Sequence, residues 1–212
     1  MIITVVRPVR GHQVKLTLTD GVEVCVDKTV WEESPYGVDS SLSDTELEEL
    51  LAVSARRRAE SKAVFLLARR DLSRHELEQK LCREKGRYYA ENREAAEAAA
   101  ARMEELGYVN DAAYARRLAE QFVRVKHYPK RRVIDELIRR GIDRETAREA
   151  ASETETDETE LALAFLAKKR YTVPVTTQEL QRVAGALQRY GYSAETVRSA
   201  LSMWQKEDLS DD

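Results

Sequence analysis

The densest concentration of chemically useful side chains lies between residues 116 and 140, and its chemistry is binding. Nine bases (Arg116, Arg117, Arg124, Lys126, Lys130, Arg131, Arg132, Arg139 and Arg140) share that stretch with only three acids, Glu120, Asp135 and Glu136. Helical spacing puts Arg117 and Arg124 together beside an apolar stripe of Tyr114, Leu118, Phe122 and Val125. Arg132 and Arg139 fall on the solvent face opposite Val133, Ile134, Leu137 and Ile138. Two such helices joined by a short loop would merge their charges into one cationic strip for an anionic partner. The same residues also fit ordinary helix-surface ladders, Arg131 to Asp135, Arg132 to Glu136, Asp135 to Arg139 and Arg116-Glu120-Arg124. Each such pair contributes only a few tenths of a kcal/mol. Three acids cannot neutralise nine bases, so a net positive surface is expected.

No comparable set supports catalysis. His12, His75 and His127 are scattered, and no HExxH, GxSxG or glycine-rich phosphate loop occurs. Glu48/Glu49 and Glu104/Glu105 sit among other helix-surface charges, as solvated faces do. Cys25 and Cys82 are far apart, without Cys-x-x-Cys or clustered histidines, so neither a disulfide framework nor a zinc site is expected. No cofactor is called for, and a non-enzymatic protein is expected. The start, MIITVVRPVRGH, lacks the pattern of a signal peptide, and the apolar run Ala63 to Ala68 is too short to cross a bilayer. A reducing cytoplasm is the expected location.

The elements that must position the basic stretch are helices. Of 212 residues 42% are apolar and 34% charged, and glycine and proline together number twelve. Such a charged chain, with no proline between Tyr36 and Tyr128, reads as long solvated helices. The net charge of −3 conceals segregation. Residues 1–54 carry 4 bases and 10 acids, residues 55–151 carry 24 and 17, and residues 152–212 carry 7 and 11. A basic middle between acidic ends leaves room for an anionic partner.

Strands are expected only in about the first thirty residues. Val14, Leu16 and Leu18 alternate with polar residues, as do Val22, Val24 and Val26, around Asp20-Gly21. A three-residue loop with Gly21 left-handed pairs Leu18 with Val22, Leu16 with Val24 and Val14 with Val26, burying one face. Ile3 and Val5 add a third strand. Ser43 with Glu46 opens a helix over 43–52, followed by another from about 54 to 70. Ser73 with Glu76 starts the next, to about 85, and an alanine-rich helix over 93–106 ends at Gly107. Further helices are expected at 111–126, 130–140, 143–152, 157–170, 176–190 and 193–206. The acidic run SETETDETE (152–160) suits a helix N-terminus.

This order contains a repeat of helix, capped helix ending at glycine, and shorter helix. The glycines are Gly86, Gly141 and Gly191, 55 and 50 residues apart, and two are preceded alike, in LIRRGI (137–142) and LQRYGY (187–192).

At these residues the chain resembles the RecX family. The likeness is carried by LGYVND (106–111) with Ala113 to Ala115, by RRVIDELIRRGI (131–142), by ARRDLSRHELEQKL (68–81) and by LQRYGYSAETVRSAL (187–201). It runs in order over about residues 10–205. Pro129 stands where the family often has glycine, and the loop Arg87 to Asn92 departs from the family pattern. The resemblance implies a mainly α protein: three tandem three-helix repeats in an elongated curved array, with a small N-terminal β-meander. The corresponding regions are 1–40, 41–108, 109–153 and 154–212. It also implies a monomeric regulator of the RecA recombinase filament. Such a protein would restrain ATP hydrolysis and strand exchange and meet single-stranded DNA through the filament or directly. The charge pattern makes the nine bases named above the expected contacts, and the alternatives are a direct DNA-binding helical regulator and a helical adaptor without nucleic-acid contact.

Overall fold

The alternating pattern near the N-terminus forms the three-stranded antiparallel sheet expected of it. In the computed structural model, which describes residues 1–82, 93–173 and 176–208, β1 (Ile3–Val9), β2 (Gln13–Leu18) and β3 (Glu23–Asp27) lie in that order. The register is the one that buries one face, Val14 opposite Val26 and Leu16 opposite Val24. The turn closes through the Leu18 amide donating to the Val22 carbonyl (2.9 Å) and the Gly21 amide donating to the Leu18 carbonyl (2.9 Å). Gly21 has φ +81°, which a side chain would oppose.

Two helices cover the sheet. The short α1 (Lys28–Glu33) was not expected; Asp27 caps it, accepting from the Thr29 and Val30 amides. The next, α2 (Asp44–Leu67), is one continuous helix of 24 residues rather than two. The expected break near Val53 does not occur. Ser54, fully buried, accepts a hydrogen bond from the Asp27 amide at 2.7 Å, so its hydroxyl ties helix to strand instead of competing for the helix backbone. Val14, Leu16, Val26, Val30 and Leu50 form one buried cluster, and Ile3, Leu18, Leu42 and Leu47 form another.

The far half of α2 receives α3 (Arg74–Cys82) and α4 (Arg93–Glu105). Ser73 and Glu76 make the expected reciprocal cap of α3, at 3.0 and 3.3 Å. Small buried residues of α4, Ala95, Ala96, Ala99 and Ala100, let it approach α2 closely. The cluster beneath is Ala63, Leu72, Leu77, Ala100, Met103 and Val109. Gly86 and the loop expected around it lie outside the described residues. These elements constitute the first of two units, Met1–Asn110.

The second unit, Asp111–Asp212, contains α5 (Asp111–Lys126), α6 (Lys130–Arg139), α7 (Arg144–Ser152), α8 (Glu158–Lys168), α9 (Thr177–Tyr190) and α10 (Ala194–Asp208). Here α5, α6 and α7 pack on one another, and α10 packs on α8 and α9. The repeated LxxxGI/Y pattern has a physical cause. The Leu137 carbonyl accepts from the Ile142 amide, and the Leu187 carbonyl from the Tyr192 amide, each at 3.2 Å. Gly141 (φ +80°) and Gly191 (φ +116°) make both reversals possible. Of the acidic run, Asp157 caps α8 and Glu158 and Glu160 occupy its first turn. One buried cluster, including Phe122, Leu137, Ala147, Phe165, Leu187 and Val197, passes through both triplets. Among the described residues, no helix is long and apolar enough to cross a membrane.

Candidate partner-binding site

The basic stretch folds into α5, a three-residue loop and α6, and exposure divides its nine bases into two groups. Arg116, Arg117, Arg124, Lys126, Lys130, Arg131 and Arg139 are exposed, whereas Arg132 and Arg140 are half-buried. On α5 the buried face is Tyr114, Ala115, Ala119, Phe122 and Val123. Val125, expected in that stripe, is 55% exposed. The alanines escaped the sequence reading because small residues carry little periodic signal, yet they let neighbouring helices come close. Arg117 and Arg124 point to solvent as expected.

Few of the expected ladders form. Arg116 pairs with Glu153 at 2.8 Å rather than with Glu120, and Arg139 reaches back to Glu136 at 3.3 Å. Arg124, Lys130 and Arg131 have no ion pair among the described residues. Lys126 is exposed but leans over the rings of Phe122 and Tyr128, 4.8 and 5.4 Å from their centroids. Arg140 donates to the Tyr114 hydroxyl at 3.1 Å.

Arg132 corrects the expectation of a solvent-facing pair with Arg139. Its guanidinium lies between the rings of Tyr128 and Tyr190, at 4.4 and 4.2 Å. It donates to the Tyr190 carbonyl at 3.0 Å, and Glu136 stands 4.0 Å from its Nε. The α8–α10 triplet covers this face of α6. Read alone, α6 shows a polar face; the element that covers it arrives nearly sixty residues later.

The sequence reading missed the residues that seat this contact. The last carbonyls of a helix have no partner within it. Here those at the end of α5 are taken in succession: Val125 by the Lys168 ammonium, Lys126 by the Tyr190 hydroxyl at 2.8 Å, and His127 by the Tyr192 hydroxyl at 2.6 Å. The Glu158 carboxylate accepts from the Lys130 amide at 3.0 Å at the start of α6. Burial pushes the Tyr190 and Tyr192 hydroxyls up in pKa. Burial, and then the nearby Lys168 charge, push the His127 imidazole down. The available signal was the Tyr-Gly-Tyr at 190–192, two aromatics bracketing a required glycine.

Among the described residues, no group of three or more His, Cys, Asp or Glu side chains is placed to hold a metal ion. What the geometry offers is seven exposed cations on two helices whose inner faces share one core. Fold and surface together define a mainly helical protein with a small N-terminal sheet and an exposed basic face on α5 and α6. Residues 110–150 match the family model described as RecX, second three-helix domain. The chain is 33% identical over 141 residues to regulatory protein RecX of Trichlorobacter lovleyi, covering 64% of this chain and 88% of that one. It is 37% identical over 109 residues to regulatory protein RecX of Thermus thermophilus, covering 51% and 69%. The chain belongs to the RecX family of regulatory proteins. A crystal structure of regulatory protein RecX superposes with a TM-score of 0.65 at 17% identity, covering 94% of this chain and 98% of that one. The crystal structure of RecX from Lactobacillus salivarius gives 0.60 at 17%, covering 72% and 98%. Both share the fold.

Proposed function

We propose that this chain binds RecA filaments assembled on DNA and restrains their ATP hydrolysis, strand exchange and growth, acting in the cytoplasm as a monomer by binding rather than by catalysis. The observation that carries this reading is a coincidence of position. The segment matching the RecX domain, 110–150, is the one whose α5 and α6 present seven exposed cations. Arg116, Arg117, Arg124, Lys126, Lys130, Arg131 and Arg139 are the proposed contacts to acidic filament surface or to phosphates of the bound single strand. Arg132 and Arg140 support that face from within. The regions 41–108, 109–153 and 154–212 are proposed as the three modules, the last two acting as one body.

The test is RecA ATPase on single-stranded DNA with and without this protein. Inhibition is expected from the parent and is expected to be lost in the variant Arg117→Glu/Arg124→Glu/Arg131→Glu/Arg139→Glu. All four side chains are exposed, so the variant should keep its circular dichroism spectrum and melting temperature. If phosphates are touched, binding weakens steeply with salt and alanine variants reduce the slope. A folded reversal variant that inhibits as well as the parent ends the proposal.

A further inference from the structure

The first unit contains a pocket of about 260 Å³ between α1, the loop after it and the first half of α2. Its apolar walls are Val30, Pro35, Leu50 and Val53. Val30 and Leu50 belong to the core, but Val53 is 55% exposed at the mouth. Glu33, Ser34, Tyr36, Glu46 and Glu49 complete the lining. On α2, the spacing of Glu46, Glu49, Leu50 and Val53 places carboxylates and apolar groups along one helical face. Cofactor and drug-sized sites run from roughly 300 to 1,000 Å³; this pocket suits a single long side chain.

The charge of the lining specifies its occupant. Residues 44–49 contain Asp44, Glu46, Glu48 and Glu49 and no base. Glu46 is committed to structure: it accepts from the Ser43 amide at 2.8 Å and the Ser43 hydroxyl at 2.7 Å. It also accepts from the Tyr36 hydroxyl, and these bonds hold its carboxyl below the ordinary carboxylate range. That bond fixes the Tyr36 ring at the pocket wall. Glu33 and Glu49 are exposed and have no ion pair among the described residues, while their neighbour Glu32 is paired with Lys28 at 3.6 Å. The site thus combines two uncommitted carboxylates, an anchored aromatic ring and an aliphatic floor.

We propose that this pocket receives an arginine side chain from an extended segment of another protein. Arginine matches each part. Its methylene stem lies along Val30, Leu50 and Val53. Its planar, weakly hydrated guanidinium both stacks on an aromatic ring and donates to two carboxylates, where a lysine ammonium is a compact and strongly hydrated point charge. The proposal is independent of the cationic face and of RecA.

The probe is the peptide acetyl-Gly-Arg-Gly-amide, titrated into the full chain carrying labelled Val and Leu methyl groups. Its lysine analogue and its citrulline analogue, which keeps the shape and removes the charge, are titrated in parallel. The arginine peptide should shift the Val30, Leu50 and Val53 methyls saturably at millimolar concentration. The lysine analogue should bind more weakly and the citrulline analogue should leave those methyls unmoved. Removing both exposed carboxylates in Glu33→Gln/Glu49→Gln should weaken binding about five-fold, the worth of two exposed ion pairs, with the rest of the spectrum unchanged. Equal binding of the citrulline analogue, or unaltered affinity in the double variant, overturns the proposal. So do peptide-free shifts of the same methyls that grow with protein concentration, because a second copy of this chain would then fill the pocket.

Discussion

Arg131 and Arg132 are adjacent and chemically identical, and the structure gives them opposite environments, one exposed and one half-buried. Replacing Arg132 with alanine removes a cation held between two rings at 4.4 and 4.2 Å. For partly desolvated sites each such contact contributes about 1 kcal/mol. The bond to the Tyr190 carbonyl at 3.0 Å adds about 1.5 kcal/mol, as a charged donor does, and the lost aliphatic stem about 1 more. One contribution works the other way. The buried Nε of Arg132 finds no hydrogen-bond acceptor, and relieving that orphan returns about 1 kcal/mol. The net loss is therefore about 3.5 kcal/mol, measured by urea denaturation at neutral pH. Arg132→Met keeps the stem and removes the orphan, so about 2.5 kcal/mol is expected. Arg131→Ala, on an exposed side chain without an ion pair, should lie within about 0.5 kcal/mol of the parent. If Arg132→Ala costs no more than Arg131→Ala, the two-ring clamp contributes nothing and the assignment of Arg132 to structure is refuted.

Gly191→Ala should destabilise by about 2 kcal/mol in the same assay. Its φ is +116°, and a Cβ there would meet the Arg132 Cβ at 3.2 Å and the Pro129 Cγ at 3.4 Å. Truncation after Ser152 should leave the α5–α7 triplet unable to hold its fold, seen as lost amide dispersion for those residues, because the core it shares with α8–α10 would be opened. Stability should also fall with acid. His127 has a pKa lowered below the ordinary 6.5 by burial and by Lys168. The unfolded chain therefore binds its proton first, and this contribution, complete above 6.5, is lost as pH falls through the folded value. His127→Asn should flatten that slope in denaturation curves between pH 7 and 5, since asparagine tolerates the φ of +55° found there.

Local signals were read well and remote ones were not. The hairpin register followed from alternation and from one glycine with φ +81°, both contained within fourteen residues. The capping boxes at Ser43 and Ser73 started helices where serine and a glutamate three residues on required them. The helix α1 was missed because six residues, two of them β-branched, have little propensity of their own; Asp27 before them was the one usable cue. The expected break in α2 does not form, and at that point Ser54 is buried and bonded to the Asp27 amide of strand β3. In the candidate site, Arg117 and Arg124 fall on the exposed side of α5, where the helix's own periodicity places them. Arg132 was not placed correctly, because Tyr190 lies 58 residues away and no periodicity within α6 reports a partner at that distance.

The repeat visible in the sequence and the body that folds are therefore different things. Each triplet ends its middle helix with the same glycine reversal, which is why the pattern recurs. In the α8–α10 triplet that reversal is flanked by Tyr190 and Tyr192, and their hydroxyls reach back to the carbonyls of Lys126 and His127. Lys168 takes the carbonyl before them. These bonds satisfy the end of α5 and tie it to the α8–α10 triplet, so two tyrosines that carry no charge toward a partner help to seat a cation-bearing helix. Losses of binding on altering Tyr190 or Tyr192 would then arise from the position of Arg124 and Lys130, not from a contact made by either tyrosine. A functional scan of the exposed bases alone would leave that part of the surface's construction unseen.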